Sequence, residues 1–190
     1  MFQIRIHGRG GQGVVTATEV LSIAAFIEGR EAQAFPSFGS ERMGAPVMAF
    51  CRIDDKPIRS REPVSNPDAL IVQDPTLLVN AGLFAGISPE GFVLINTERP
   101  PKSLELPALS NLPGVHVETV AAGEIARRNI GKPVPNLALL GGLIAETGIL
   151  RLESLKQAIG QKFPGKMGSA NAAAAEEAYN VVLGARQSVA

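Results

Sequence analysis

The sequence predicts an α/β fold: a Rossmann-like, mostly parallel sheet flanked by helices, with one inserted β-hairpin. Three observations predict it. The first thirty residues spell strand, glycine turn, helix. The short, almost wholly apolar run at 69–74 has the composition of a strand buried on both faces of a parallel sheet, 91–97 reads as another buried strand, and 115–120 as a further strand. Helical patterns punctuate and follow those runs, while residues 47–58 read as two arms around the turn Asp54-Asp55-Lys56-Pro57. With 190 residues, 45% of them hydrophobic, the chain is most simply one domain over 1–190 with a proper core.

The elements follow in order. Phe2, Ile4 and Ile6 alternate with Gln3, Arg5 and His7, the period of a half-buried strand. Val14, Val15, Ala17, Val20, Leu21, Ala24 and Ile27 then fall at helical spacing until Gly29. Residues 31–35 form a short strand stopped by Pro36. Residues 36–46 are a loop by their glycines and prolines. A strand at 47–53 turns at Asp54 to Pro57, and the chain returns from Ile58 as the second hairpin arm. After the strand at 69–74, Pro75 suits the first position of a helix over 76–83. The strands at 91–97 and 115–120 are joined by a proline-rich connection, and a helix covers 121–129. Residues 136–146 are apolar nearly all round, with Gly141-Gly142 inside, so that helix is buried and admits a close neighbour. Two more helices cover 152–163 and 168–186, the last with Ser169 or Asn171 as its cap.

The stretch Gly8-Arg9-Gly10-Gly11-Gln12-Gly13 concentrates the chemistry. A glycine turn between strand and helix aims backbone N–H groups and the positive helix end at one point. Three uses suit it: phosphate binding, contact with another subunit, or close helix–strand packing alone. Its spacing matches the dinucleotide fingerprint, but that site needs an acidic residue about 20 positions on, after the second strand. Ala32-Gln33-Ala34-Phe35-Pro36 stands there, which argues against NAD. The following loop carries Phe38 and Met43 around the adjacent pair Glu41 and Arg42, a mixture of apolar and charged groups suited to touching a partner.

Other chemistries are poorly supplied. The 18 basic and 18 acidic residues balance, and with no Trp and one Tyr the chain lacks both the field and the stacking surfaces for nucleic acid. One cysteine, Cys51, excludes an internal disulfide and a self-contained iron–sulfur cluster; it reads as a buried strand thiol. His7 and His116 have no partner at metal-ligand spacing; His7, beside the glycine turn, has two readings, a strand-end histidine bonded to backbone, which is favoured, or a functional contact. No serine stands in a nucleophile elbow, and no Walker lysine follows the turn. No apolar run approaches a membrane span and no leader precedes the first strand, so a cytoplasmic protein is expected. A glycine turn and an arginine-bearing loop without an acid–base set suit a subunit that completes an active site carried elsewhere.

The segments 7–13 and 36–47, the run 68–74 and the stretch 131–136 resemble the gamma subunit of the 2-oxoacid:ferredoxin oxidoreductases, of the pyruvate synthase type, over almost the whole chain. The resemblance implies an enzyme that oxidatively decarboxylates a 2-oxoacid to acyl-CoA, with pyruvate first and 2-oxoglutarate, branched-chain or aryl 2-oxoacids such as phenylglyoxylate open. It implies thiamine diphosphate and Mg²⁺ between alpha and beta chains, [4Fe-4S] clusters outside this chain, and coenzyme A as substrate. It implies alpha, beta and ferredoxin-like delta chains as partners, and ferredoxin or another electron acceptor. On that basis Gly8, Arg9, Gly10, Gly11, Gln12 and Gly13 are expected at the subunit interface or the coenzyme A channel. Phe38, Glu41, Arg42 and Met43 are expected to dock on a neighbouring chain. No catalytic or metal-binding residue is expected here. The competing readings are a free-standing nucleotide- or CoA-binding Rossmann-like module and an NAD-dependent dehydrogenase.

Overall fold

The computed structural model describes residues 1–37 and 43–189. Its centre is a six-stranded sheet of β1 (Phe2–Arg9), β2 (Glu31–Pro36), β3 (Pro46–Asp54), β4 (Ala69–Val72), β5 (Phe92–Asn96) and β6 (His116–Val120), in the order β2-β3-β1-β4-β5-β6. β1, β4, β5 and β6 run parallel, while β3 is antiparallel to both β1 and β2. The sheet is therefore mixed: a parallel half carrying a hairpin.

The hairpin is not the expected one. Its arms are β2 and β3, joined by the loop after Pro36, and residues 58–66 form no strand. They cross the sheet instead, where Val64 is buried and the Glu62 and Val64 carbonyls accept from Arg52 and Arg5. Those two arginines, on adjacent strands, hold the segment as coil by satisfying its carbonyls from the side.

Helices α1 (Val14–Ile27), α2 (Ala122–Ile130), α3 (Asn136–Thr147), α4 (Leu152–Lys162) and α5 (Lys166–Val189) pack in one layer whose core holds Ile4, Ile6, Ile71 and Leu94 of the sheet. Alternate residues of the same strands, Leu70, Val72, Val93 and Ile95, face the other way. They are covered by two 3₁₀ turns, Pro75–Val79 and Ala81–Phe84, where the sequence reads as one helix. Asn80 splits them: it is extended, and its side chain accepts the Gly82 N–H at 3.0 Å, a local bond that competes with helix continuation.

α3 is buried on all sides, as its composition implies. A Cβ at Gly141 would stand 1.9 Å from the Ala175 carbonyl oxygen, so α3 and α5 touch backbone to backbone there. α5 starts at Lys166, earlier than expected, so Ser169 and Asn171 lie inside it and bond back to the Gly165 and Met167 carbonyls rather than capping it. No helix among the described residues is long and apolar enough to cross a membrane.

Candidate functional site

At the carboxyl end of β1 the chain enters the glycine turn, and this is the topological switch point. β1 leads into α1 on the helical face, whereas its parallel neighbour β4 leads into the first 3₁₀ turn on the opposite face. Ligand crevices of open α/β sheets form at such points.

The turn spans it with a closed network. The Arg9 N–H donates to Gln12 Oε1 at 2.8 Å, and Gln12 Nε2 donates to Asp74 Oδ2 at 3.0 Å. Arg9 Nε lies 3.2 Å from Asp74 Oδ2, its Nη2 donates to Thr76 Oγ1 at 2.7 Å, and its Nη1 donates to the Gly44 carbonyl at 3.0 Å. Asp74 also accepts the Thr76 N–H at 3.0 Å, capping the first 3₁₀ turn. Burial alone would raise the Asp74 carboxyl, but bonds from Thr76 and Gln12 and the charge of Arg9 hold it below the usual carboxylate range. Arg9 is thus committed inward, bracing the turn, with a third of its side chain exposed.

What remains open is backbone. Gly11 and Gly13 take positive φ of 93° and 69°, and Gly13 begins α1 without any side-chain cap. The N–H groups of Gly11, Gly13, Val14, Val15 and Thr16 find no partner among the described residues. The turn is held from below by Asn136, whose Nδ2 donates to the Gly13 carbonyl at 3.2 Å. A Cβ at Gly8 would meet Val14 Cγ2 at 2.6 Å, so that glycine serves close strand–helix packing as well. The loop after β2 returns alongside: Gly10 donates to the Ala45 carbonyl at 2.9 Å, and Gly44 to the Gly10 carbonyl at 3.1 Å. Met43 pairs with Gly10 in a single bridge and is 86% exposed, with its methyl over Gly11. Phe38, Glu41 and Arg42 lie outside the described residues.

Sequence reasoning pointed to the turn and to Met43, which the structure brings side by side, and passed over Asp74, Thr76 and Asn136, which brace the turn. The signal was present in Asp74-Pro75-Thr76, a capping aspartate at a strand end. Its adjacency to Arg9, 67 residues earlier for Thr76, exists only through the β1–β4 pairing. The missing acid after β2 also has a geometric counterpart. β3 lies between β2 and β1, so the end of β2 stands two strands, roughly 10 Å, from the turn.

His7 makes no backbone bond through its imidazole among the described residues, contrary to expectation; its Nε2 is buried without a partner, and burial together with the Arg5 charge pushes its pKa down to about 3. Cys51 is wholly buried, which pushes its thiol up to about 12. His116 stacks on Phe92. Among the described residues no three His, Cys, Asp or Glu side chains are grouped to hold a metal ion.

The family model described as pyruvate ferredoxin/flavodoxin oxidoreductase matches residues 3–181. The chain is 48% identical over 180 residues to the Thermococcus kodakarensis pyruvate/ketoisovalerate oxidoreductases common subunit gamma, covering 95% of this chain and 96% of that protein. It is also 48% identical over 183 residues to the Methanocaldococcus jannaschii pyruvate synthase subunit PorC, covering 96% and 98%. The crystal structure of pyruvate oxidoreductase subunit PORC from Thermotoga maritima superposes with a TM-score of 0.79 at 37% identity, over 94% of this chain and 95% of that one.

Proposed function

Given that the chain belongs to the pyruvate ferredoxin/flavodoxin oxidoreductase family, as a gamma subunit of a 2-oxoacid:ferredoxin oxidoreductase complex, we propose that it completes the complex beside the active site without carrying a redox step. The complex takes a 2-oxoacid, pyruvate first, to acyl-CoA in the cytoplasm. Thiamine diphosphate, held between alpha and beta chains, supplies the carbanion chemistry, and [4Fe-4S] clusters on other subunits pass electrons to ferredoxin or another acceptor. The Thermococcus relative is named as common to a pyruvate and a ketoisovalerate enzyme, which supports a branched-chain 2-oxoacid as a second substrate served by the same gamma chain.

The observation that carries this reading is the combination at the switch point. Polar side chains there are spent on one another, while N–H groups of the turn and the helix start have no partner among the described residues and the Met43 side chain is exposed. Such a surface offers hydrogen bonds and an apolar knob to something external. The N–H row at a helix start suits the diphosphate of coenzyme A, and Met43 with the neighbouring Phe38, Glu41 and Arg42 suits docking on an alpha or beta chain.

The test begins with gentle capture of the tagged chain from its own cell. Co-purification of thiamine-diphosphate and cluster-bearing subunits, with 2-oxoacid- and CoA-dependent dye reduction, is expected, and a panel of oxoacids names the substrates. Arg9→Ala in the reassembled complex is expected to raise the KM for coenzyme A by loosening the turn. Met43→Ser is expected to weaken assembly while leaving the fold intact. A chain recovered alone, monomeric and binding nucleotide, would overturn the subunit reading in favour of a free-standing module.

A further inference from the structure

The stretch 131–136, one of the four segments by which the sequence resembles its family, touches the glycine turn only through Asn136. With the starts of α1 and α5 it lines a cavity of about 520 Å³ among the helices. The walls are mostly apolar, formed by Ile130, Val134, Leu137, Phe163 and Met167. Met167 is 63% exposed, and a long, flexible apolar side chain left in solvent beside a cavity suits a partner surface. Lys132 and Lys166 are the charged residues of the lining; both are exposed, and neither forms an ion pair among the described residues. The acidic residues of the surrounding helices α1, α2 and α5 are paired elsewhere: Glu19 with Lys162, Glu124 with Arg127, Glu176 with Lys156 and Glu177 with Arg128. The cavity therefore keeps two positive charges that nothing in the chain offsets. Three asparagines line it too, all anchored in one way. Asn129 Nδ2 donates to the Ile125 carbonyl, Asn136 Nδ2 to the Gly13 carbonyl and Asn171 Nδ2 to the Met167 carbonyl. A carbonyl takes only a donor, so each amide is fixed with its nitrogen toward the protein. The three Oδ1 atoms accept no bond from the described residues, and none of them is sealed from solvent.

We propose, on the reading of this chain as a subunit, that the cavity receives a short extended segment of a neighbouring subunit in which an Asp or Glu stands beside an apolar side chain. The carboxylate meets the ammonium groups of Lys132 and Lys166, whose flexible four-carbon stems bring them to it. The apolar side chain packs against Leu137, Phe163 and Met167. Peptide N–H groups of the segment donate to the asparagine oxygens; an extended chain away from proline always carries such donors. A small inorganic anion would satisfy the lysines and leave the apolar walls and the three acceptors unmatched. A purely apolar side chain would leave the two charges unmatched. The cavity also adjoins the glycine turn, since Thr16 belongs to the open N–H row and Asn136 props Gly13. One partner surface thus runs from Met43 across the turn to Met167.

The experiment uses the native complex captured through the tagged chain. A water-soluble carbodiimide joins an ammonium directly to a carboxylate that touches it, and mass spectrometry of the digest names both residues. Lys132 or Lys166 joined to an Asp or Glu of another subunit is expected, and both lysines are expected to acetylate more slowly in the complex than in the chain released from it. In the reassembled complex, Lys132→Glu with Lys166→Glu is expected to raise the dissociation constant for the remaining subunits roughly tenfold or more, because it sets like charges against each other. Lys132→Arg with Lys166→Arg is expected to keep it. Lysines that acetylate as fast in the complex as in the released chain overturn the proposal, as does full retention of the reversed-charge chain. If that variant fails to fold, acetylation of the unsubstituted complex decides alone. A chain that co-purifies with no other subunit overturns this proposal and the subunit reading together, whereas an intact complex with freely reactive Lys132 and Lys166 overturns this proposal only.

Discussion

His7 makes the stability of this chain depend on pH in a window where few other groups titrate. In the unfolded chain its imidazole takes a proton near pH 6.5, whereas burial and the neighbouring Arg5 charge push that protonation down to about 3 in the fold. The sign follows directly. Below the unfolded value the unfolded state binds a proton that the folded state refuses, so stability is complete above about pH 6.5 and is lost as pH falls toward 3. Going from about pH 7 to about pH 5, one such group costs about 2 kcal/mol, a sizeable share of a typical total of roughly 5–15 kcal/mol. Urea unfolding of the chain, followed by circular dichroism, measures it. The unsubstituted chain is expected to lose close to one proton's worth of slope relative to His7→Met, whose side chain is apolar and does not titrate. Parallel pH dependences in the two proteins would refute the reasoning, as would a His7 ring that protonates in the folded chain near pH 6.

Three further outcomes follow from the same coordinates. Gly141→Ala places a Cβ 1.9 Å from the Ala175 carbonyl oxygen, so α3 and α5 must separate; a loss of about 3 kcal/mol is expected in thermal or urea unfolding. Asp74→Ala removes the shared acceptor of Gln12, Thr76 and the Arg9 charge, and about 1–2 kcal/mol is expected to be lost near neutral pH. Because the Asp74 pKa is depressed in the fold, its contribution is present above about pH 4 and fades as pH falls further, so the two proteins converge in stability on the acid side. Cys51 is expected to resist thiol reagents in the native chain and to react only on unfolding, since it is wholly buried and its thiol is pushed up to about 12.

The parts of the fold that were legible in the sequence are those set by local pattern. Alternation and apolar runs placed β1, β4, β5 and β6 within a residue or two, and the all-apolar stretch before Gly148 announced α3 as buried. The segment after Asp74 misled for an equally local reason read one step too coarsely. Pro75 does open a helical turn, but Asn80 bonds Gly82 and divides the segment into two 3₁₀ turns. The hairpin was assigned to the wrong neighbour because both flanks of 46–54 carry turn residues, and only the ladder with β2 decides between them.

The glycine turn shows the division most sharply. By itself the sequence determined that strand, turn and helix follow one another there and that glycines occupy the positions needing positive φ, since each of these depends on residues within a few places of one another, and its motifs taken together along the chain pointed to the family. Only the tertiary structure decided that Arg9 braces the turn against Asp74 and Thr76 rather than reaching outward, that Asn136 props it from below, and that Arg5 and His7 share a cavity on the opposite face. The physical reason is that Thr76 lies 67 residues from Arg9 and Asn136 lies 123 from Gly13, while the cavity beside Arg5 and His7 is closed by Met48 and Leu83 from other parts of the chain. They are brought together by the parallel pairing of β4 with β1 and the packing of α3 on α1. The energy of that pairing comes from backbone ladders and buried apolar area that carry no local signature of which polar side chains will meet.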